Sequence, residues 1–174
     1  MSSATDATEM TGGARQSRDD RWLVVETAGF QFAIPMEILD AVVEIQSSRI
    51  KRSQGRRRPG YLGIVEWAGD ERELRSLAEQ VGLQSRVAEA YPTLVTTIEG
   101  VGAGGGTGEP YFWAVERVVA SVENGSVQVE PAPARWWAGG ETVFTGLWWH
   151  GGAPVWVVDL ARVVRRAGGG ESAA

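Results

Sequence analysis

Residues 22–35 read WLVVETAGFQFAIP. The first six are apolar and rich in β-formers, Ala28-Gly29 can turn, and Phe30, Phe32 and Ile34 alternate with Gln31 and Ala33. A period of two sends successive side chains to opposite faces, so this stretch predicts an antiparallel hairpin with one buried face. Pro35 suits the first position of a helical turn over residues 36–39, and a third strand is predicted at 41–45.

The same signals recur along the chain. Strands are predicted at 61–67, 93–99, 111–115, 118–122, 143–149 and 155–158, with turns at Asn124-Gly125 and His150-Gly151-Gly152. After Gly69 the residues Leu74, Leu77, Ala78 and Val81 fit one helix face and Gly82 its end. Asp70 with Glu73, and Ser76 with Glu79, each fit a capping box, so the residues alone leave two starts open. A closing helix is expected after Asp159, with Leu160, Val163 and Val164 facing inward and Arg165 and Arg166 at its negative end. Many short strands with a few short helices predict a mainly β barrel or sandwich.

Composition narrows the function. The chain has 174 residues, 43% of them hydrophobic, a formal net charge of −5 and no cysteine. That supports one domain with a core, and it gives no disulfide framework, thiol nucleophile or zinc thiolate site. No apolar run approaches the roughly 20 residues of a membrane-spanning helix, and residues 1–20 hold no apolar signal core. A cytoplasmic protein is expected, with a disordered head at 1–20, one domain at 21–166 and a disordered tail at 167–174.

The motifs that suggest chemistry lack their context. Gly100, Gly102 and Gly105 match G-x-G-x-x-G, but Glu109-Pro110-Tyr111-Phe112-Trp113 follows as an aromatic strand where a phosphate-binding helix is needed. His150 is the sole histidine, and no serine lies in a G-x-S-x-G setting. No metal, cofactor or catalytic group is therefore assigned. Residues 49–58 carry Arg49, Lys51, Arg52, Arg56, Arg57 and Arg58 with no aromatic interleaved. They read as a solvated loop, with nucleic-acid or nucleoid binding as the alternative function. Of the eight tryptophans, Trp113 and Trp156 read as core. In the adjacent pair Trp148-Trp149 a strand would send one ring outward, where tryptophan serves as a binding anchor.

Taken in order, several segments resemble the CheW family, the adaptors that link chemoreceptors to the CheA histidine kinase. Phe30-Gln31-Phe32-Ala33-Ile34-Pro35 leading to Val42-Val43-Glu44-Ile45 is similar to its opening F-x-I…V-x-E-I. Leu62-Gly63-Ile64-Val65 with Gly69 resembles its G-x-x-N-L-R-G block, and Val115-Glu116-Arg117-Val118 its V-D-x-V. Thr145-Gly146-Leu147 and Val155 to Asp159-Leu160 resemble its closing G…I-L-D. The resemblance implies two small five-stranded β-barrels packed together with a few short helices, and it selects Ser76 as the helix start. It implies a non-enzymatic adaptor or scaffold without cofactor, whose partners are a CheA-type kinase regulatory domain, a chemoreceptor cytoplasmic tip or another CheW-like protein.

The expected partner-binding residues are Glu44 and Ile45, then Leu62, Glu66, Trp67 and Ala68 in the central block, then Val115 and Glu116, and the pair Trp148 and Trp149. The central block departs from the family: its Asn, Arg, Pro and Asp positions hold Glu66, Ala68, Glu73 and Ser76. Glu44 therefore lacks the basic residue expected near it, and Glu66 adds a second acid. Such a pair needs a wet site or a cation from a partner. Trp67 between Glu66 and Ala68 would add contact area if it pointed outward.

One prediction follows from the basic segment alone. It has no apolar position to bury, so replacing Arg56, Arg57 and Arg58 with serine should shift stability by no more than about 0.5 kcal/mol. A melting curve checks this, and a large fall in Tm would make the segment structural.

Overall fold

The structure is a computed structural model that describes residues 20–52, 59–97, 110–133 and 142–168. Eleven strands are present among these residues: β1 (Arg21–Thr27), β2 (Phe30–Pro35), β3 (Leu39–Gln46), β4 (Tyr61–Trp67), β5 (Asp70–Ser76), β6 (Ala90–Thr97), β7 (Pro110–Ala114), β8 (Arg117–Glu123), β9 (Glu130–Pro131), β10 (Phe144–His150) and β11 (Ala153–Val158). Two short α-helices, α1 (Leu77–Gln80) and α2 (Leu160–Gly168), complete it, with single 3-10 turns such as Met36–Ile38. The Gly100–Gly108 loop lies outside the described residues, and the strand expected after it is β7.

The strands form two sheets. One runs β8-β1-β2-β11-β10-β9 and the other β3-β6-β7-β5-β4. The first thus has six strands where five were expected, and neither sheet closes on itself as a barrel. The second comes nearer to closure. Lys51, just past β3, exchanges both backbone hydrogen bonds with Ile64 of β4, at 2.8 and 2.9 Å.

Both sheets reuse one local device. β1–β2 and β4–β5 are antiparallel hairpins joined by Ala28-Gly29 and Ala68-Gly69. All four turn residues have positive φ: 53° and 80° in the first turn, 51° and 88° in the second. That is the pattern of the tight turn whose twist matches the flanking strands. Each sheet also contains one parallel pair, β2 with β11 and β5 with β7.

Three apolar clusters follow from this stacking. The largest lies between the sheets and gathers Phe32, Ile34, Leu94, Trp113, Phe144, Trp156 and Leu160. Phe144 stacks on Phe32 at 5.9 Å and meets Trp156 edge-on at 5.8 Å. Trp113 donates its indole N–H to Thr96 Oγ1 at 3.3 Å, so its polar atom is satisfied in the core. Helix α2 closes one end, with Leu160, Val163 and Val164 buried and Asp159 Oδ1 accepting from the Arg162 N–H at 3.0 Å.

The second cluster lines the inner face of the five-stranded sheet, around Ile45, Val65, Leu74, Val95 and Phe112. The third lies on the far face of the six-stranded sheet, with Val24, Ala33, Trp148, Val155 and Val157. It corrects the expectation of one buried face for the first hairpin: Phe32 and Ile34 face one cluster, and Ala33 faces another. The connection from β8 to β9 must pass from one sheet edge to the other. Val127 on that connection packs on the third cluster, and Trp22 lies against Trp148 at 5.6 Å.

The helix starts at the later of the two candidate positions. Ser76 Oγ accepts from the Glu79 N–H at 3.3 Å as its N-cap. The Glu79 carboxylate does not turn back on the cap. It accepts from the Gly60 N–H at 3.0 Å and the Ser85 hydroxyl at 2.7 Å, tying the start of β4 to the helix.

Gly63 has φ of 151°, and a Cβ there would sit 2.4 Å from Ile50 Cγ2 and 2.8 Å from the Lys51 carbonyl oxygen. Gly63→Ala must push the Lys51 segment away from β4. We expect a loss of about 1–3 kcal/mol, typical of overpacking, with faster amide exchange at Ile64. Denaturant melts and hydrogen exchange check both.

Candidate functional site

The central block forms the β4–β5 hairpin. Its register pairs Glu66 with Glu71 and Trp67 with Asp70. Like charges directly opposite repel, and the alternation puts both carboxylates in solvent. The cation that relieves them comes from the chain itself. Lys51, set beside Ile64 by the backbone bridge, places Nζ 2.6 Å from Glu71 Oε1. The hydrogen bond and charge of Glu71 raise the Lys51 pKa, desolvation opposes this, and Glu66 adds a further upward push. The acids expected to form the unpaired couple, Glu44 and Glu66, are both exposed, and Lys51 pairs with neither of them.

In the sequence Lys51 is only one member of a basic loop. Arg49 and Arg52 beside it are exposed, while Lys51 is committed to Glu71. Residues 53–58 lie outside the described residues. The signal that points to Lys51's role is Gly63, since a glycine inside a strand marks close backbone approach.

The other expected residues divide by burial. Trp67 is half-buried and meets Phe112 edge-on at 5.6 Å, so it caps the second cluster instead of offering an outward plate. Leu62 also packs there. Ile45, Val115 and Trp148 are buried and serve the cores. Glu116 is held inside the molecule's own network: its carboxylate accepts from the Ala28 N–H at 3.0 Å and fixes the first hairpin turn. Glu44 is exposed on β3, where its carboxylate accepts from Gln46 Nε2 at 3.1 Å. Ala68 is exposed at the tip of the second hairpin. Trp149 is 64% exposed, while its neighbour Trp148 is buried, as alternation requires. Trp136 and Trp137 lie outside the described residues.

Two valines of the resembling motifs that are not among the expected contact residues are also exposed. Val42 pairs with Leu94 and Val118 with Val25, so both continue faces that belong to or neighbour the core between the sheets. Both are nonetheless exposed, at 43% and 38%. They mark the rim of that core on β3 and β8, with Glu44 on the same face as Val42. An apolar rim beside a carboxylate suits protein contact.

Among the described residues no group of three or more His, Cys, Asp or Glu could hold a metal ion. No described helix is long and apolar enough to cross a membrane. His150 ends β10 opposite Ala153.

Two open sheets around one shared core have a counterpart among solved structures. The chain is similar to the scaffolding protein TtCheW from Thermoanaerobacter tengcongensis, with a TM-score of 0.58 over 80% of this chain and 88% of that one. The fold is CheW-like. Sequence identity in that comparison is 15%. No family model matches the sequence, and no curated protein matches it.

The Lys51–Glu71 pair gives a signed prediction. A lysine whose folded-state pKa is raised contributes its stability fully below the pKa of unfolded lysine, and loses it as pH climbs through the raised value. Lys51 is therefore charged and paired at neutral pH, and loss of its proton breaks the pair in the alkaline range. Glu71→Gln removes the largest cause, so an NMR titration of Lys51 Nζ should show its pKa falling in that variant. An unchanged value would mean the pair does not form in solution.

Proposed function

We propose that this protein is a non-enzymatic adaptor of a chemosensory assembly, acting in the cytoplasm by holding other proteins together. The CheW-like arrangement of two sheets around a shared core carries this reading. Exposed Val42, on the same face of β3 as Glu44, supplies an apolar contact beside a carboxylate. The partners are a CheA-type kinase regulatory domain, a receptor tip or another CheW-like protein. The binding domain spans residues 21–166.

The receptor-facing surface is rebuilt. Where the family carries a central arginine this chain has Ala68, and the described cations of the hairpin region are already paired, Lys51 with Glu71 and Arg72 with Asp70. A surface that spends its cation internally presents Glu66 and Glu44 to a partner. It therefore favours a partner with its own basic groups over a standard receptor tip, while other edges keep the kinase-type contact.

The double variant Glu66→Asn, Ala68→Arg tests this against a chemoreceptor cytoplasmic tip by titration calorimetry. Ala68 sits exposed in a turn, so the longer side chain has room. Weak wild-type binding that strengthens by about tenfold, or about 1.4 kcal/mol, supports the reading. Tight wild-type binding unaffected by the double change overturns it.

A further inference from the structure

The face of the six-stranded sheet that covers the shared core continues past that core at the end carrying the β1–β2 and β10–β11 turns. Leu147, Trp156 and Phe32 are buried on this face, and two residues further along their strands the side chains come into solvent. Trp149 pairs with Pro154 of β11. One step along the parallel ladder from Val155 and Gln31 sets Phe30 beside Pro154. Trp149 is 64% exposed and Phe30 42%, with Pro154 half-buried between them. They make an apolar row three strands wide, about 10 Å from end to end.

An acid stands at one end of this row. The edge strand β9 pairs Glu130 with Leu147, which puts the Glu130 side chain on the same face. Trp149 is two residues beyond Leu147, so it and Glu130 are diagonal neighbours. Such neighbours lie about 7–8 Å apart, close enough for one long side chain to touch both. Glu130 is exposed, and among the described residues no cation pairs with its carboxylate. Arg117 is four strands away and paired with Glu26. The turn glycines Gly151 and Gly152 have nothing within 4 Å of where a Cβ would stand, so the approach to Trp149 is open.

We propose that Trp149 and Glu130 are a docking site for an arginine side chain of another protein, with Pro154 and Phe30 as the floor for an apolar neighbour of that arginine. A guanidinium is flat, so it can stack on the indole while the N–H groups in its plane donate to a carboxylate at the ring's edge. A lysine ammonium is a compact, strongly hydrated charge without that fork and gains less from the same pair. An apolar group alone would strip water from Glu130 and return no hydrogen bond, and an acid would meet it as a like charge. A second copy of this chain in a twofold pair would bring Glu130 toward the same residue of its copy. The inference rests on the adaptor reading only in taking the ligand to be a protein. The site lies on the other sheet from the β4–β5 hairpin, so either surface can fail without the other.

Displayed random octapeptides, panned against the wild type, Trp149→Ser and Glu130→Gln, test the site apart from the calorimetric test of the adaptor reading. Both residues are exposed, so each variant should fold, and matched melting curves confirm it. The expected result is enrichment of peptides that contain arginine. They should bind the wild type at least about tenfold more tightly than either variant, and lose affinity between about 0.05 and 0.5 M salt. Replacing their arginine with lysine should weaken them. Glu130→Arg should reject them and accept the same peptides with glutamate in place of arginine. The proposal is overturned if no sequence is enriched over Trp149→Ser, if the enriched sequences lack arginine, or if Glu130→Gln binds them as tightly as the wild type. It is equally overturned if the wild type sediments as a dimer that Trp149→Ser dissociates, since the occupant would then be a second copy.

Discussion

A sheet strand has two faces, and in this protein the central strands must bury both. That constraint organises the rest. β2 sends Phe32 and Ile34 into the core between the sheets and Ala33 into the cluster on the far side. β7 sends Trp113 one way and Phe112 the other. A single layer of cover cannot meet this demand, so apolar side chains fill three layers, and the middle one is common to both sheets. Each sheet depends on the other for one of its walls. Aromatic rings dominate the middle layer because the space between two twisted sheets is wide and uneven, and large flat groups can reach across it to touch both walls.

The charged groups are placed by the same geometry. Backbone pairing brings Lys51 to β4, and only then does its ammonium meet Glu71. Exposed ion pairs of this kind add little stability. Their value here is in what they neutralise: two facing carboxylates on one hairpin would otherwise leave a strongly negative patch. Glu116 shows the reverse case. By sequence it looks like a surface acid, yet it is used to hold a turn.

Much of the architecture is legible from local signals. Alternation locates most strands within a residue or two, Ser76 and Asp159 mark helix starts by their capping chemistry, and the neighbours Trp148 and Trp149 divide between core and solvent as a strand demands. Period-two patterns, however, report on one strand at a time. They do not reveal that the connection bearing Val127 covers the outer face of the first sheet, or that a sixth strand joins it. Nor do they reveal the site's cation, because the Lys51–Ile64 bridge joins elements that follow different local rules. Ile45 and Val115, expected as contact residues, are buried, since a motif shared with a binding family does not say which of its positions face outward. Glycine is the subtler clue: Gly63 is where one backbone lies against another, and a missing side chain is harder to notice than a charged one.

The parallel pairing of β2 with β11 has a temporal consequence. During synthesis the chain emerges from its N-terminal end, and the hairpin of β1 and β2 appears before the other described strands. Its neighbour β11 is the last of the described strands to be made. All five strands of the second sheet come between them, so that sheet is complete while the first still lacks most of its members. The early hairpin must then wait with apolar residues on both faces, held from aggregation by the charges of Arg21 and Glu26 and by its brevity. Pairing of β11 with β2 and β10 joins the first sheet together, so a nascent chain stalled before Ala153 would hold a whole second sheet and a first sheet split into β8-β1-β2 and β10-β9.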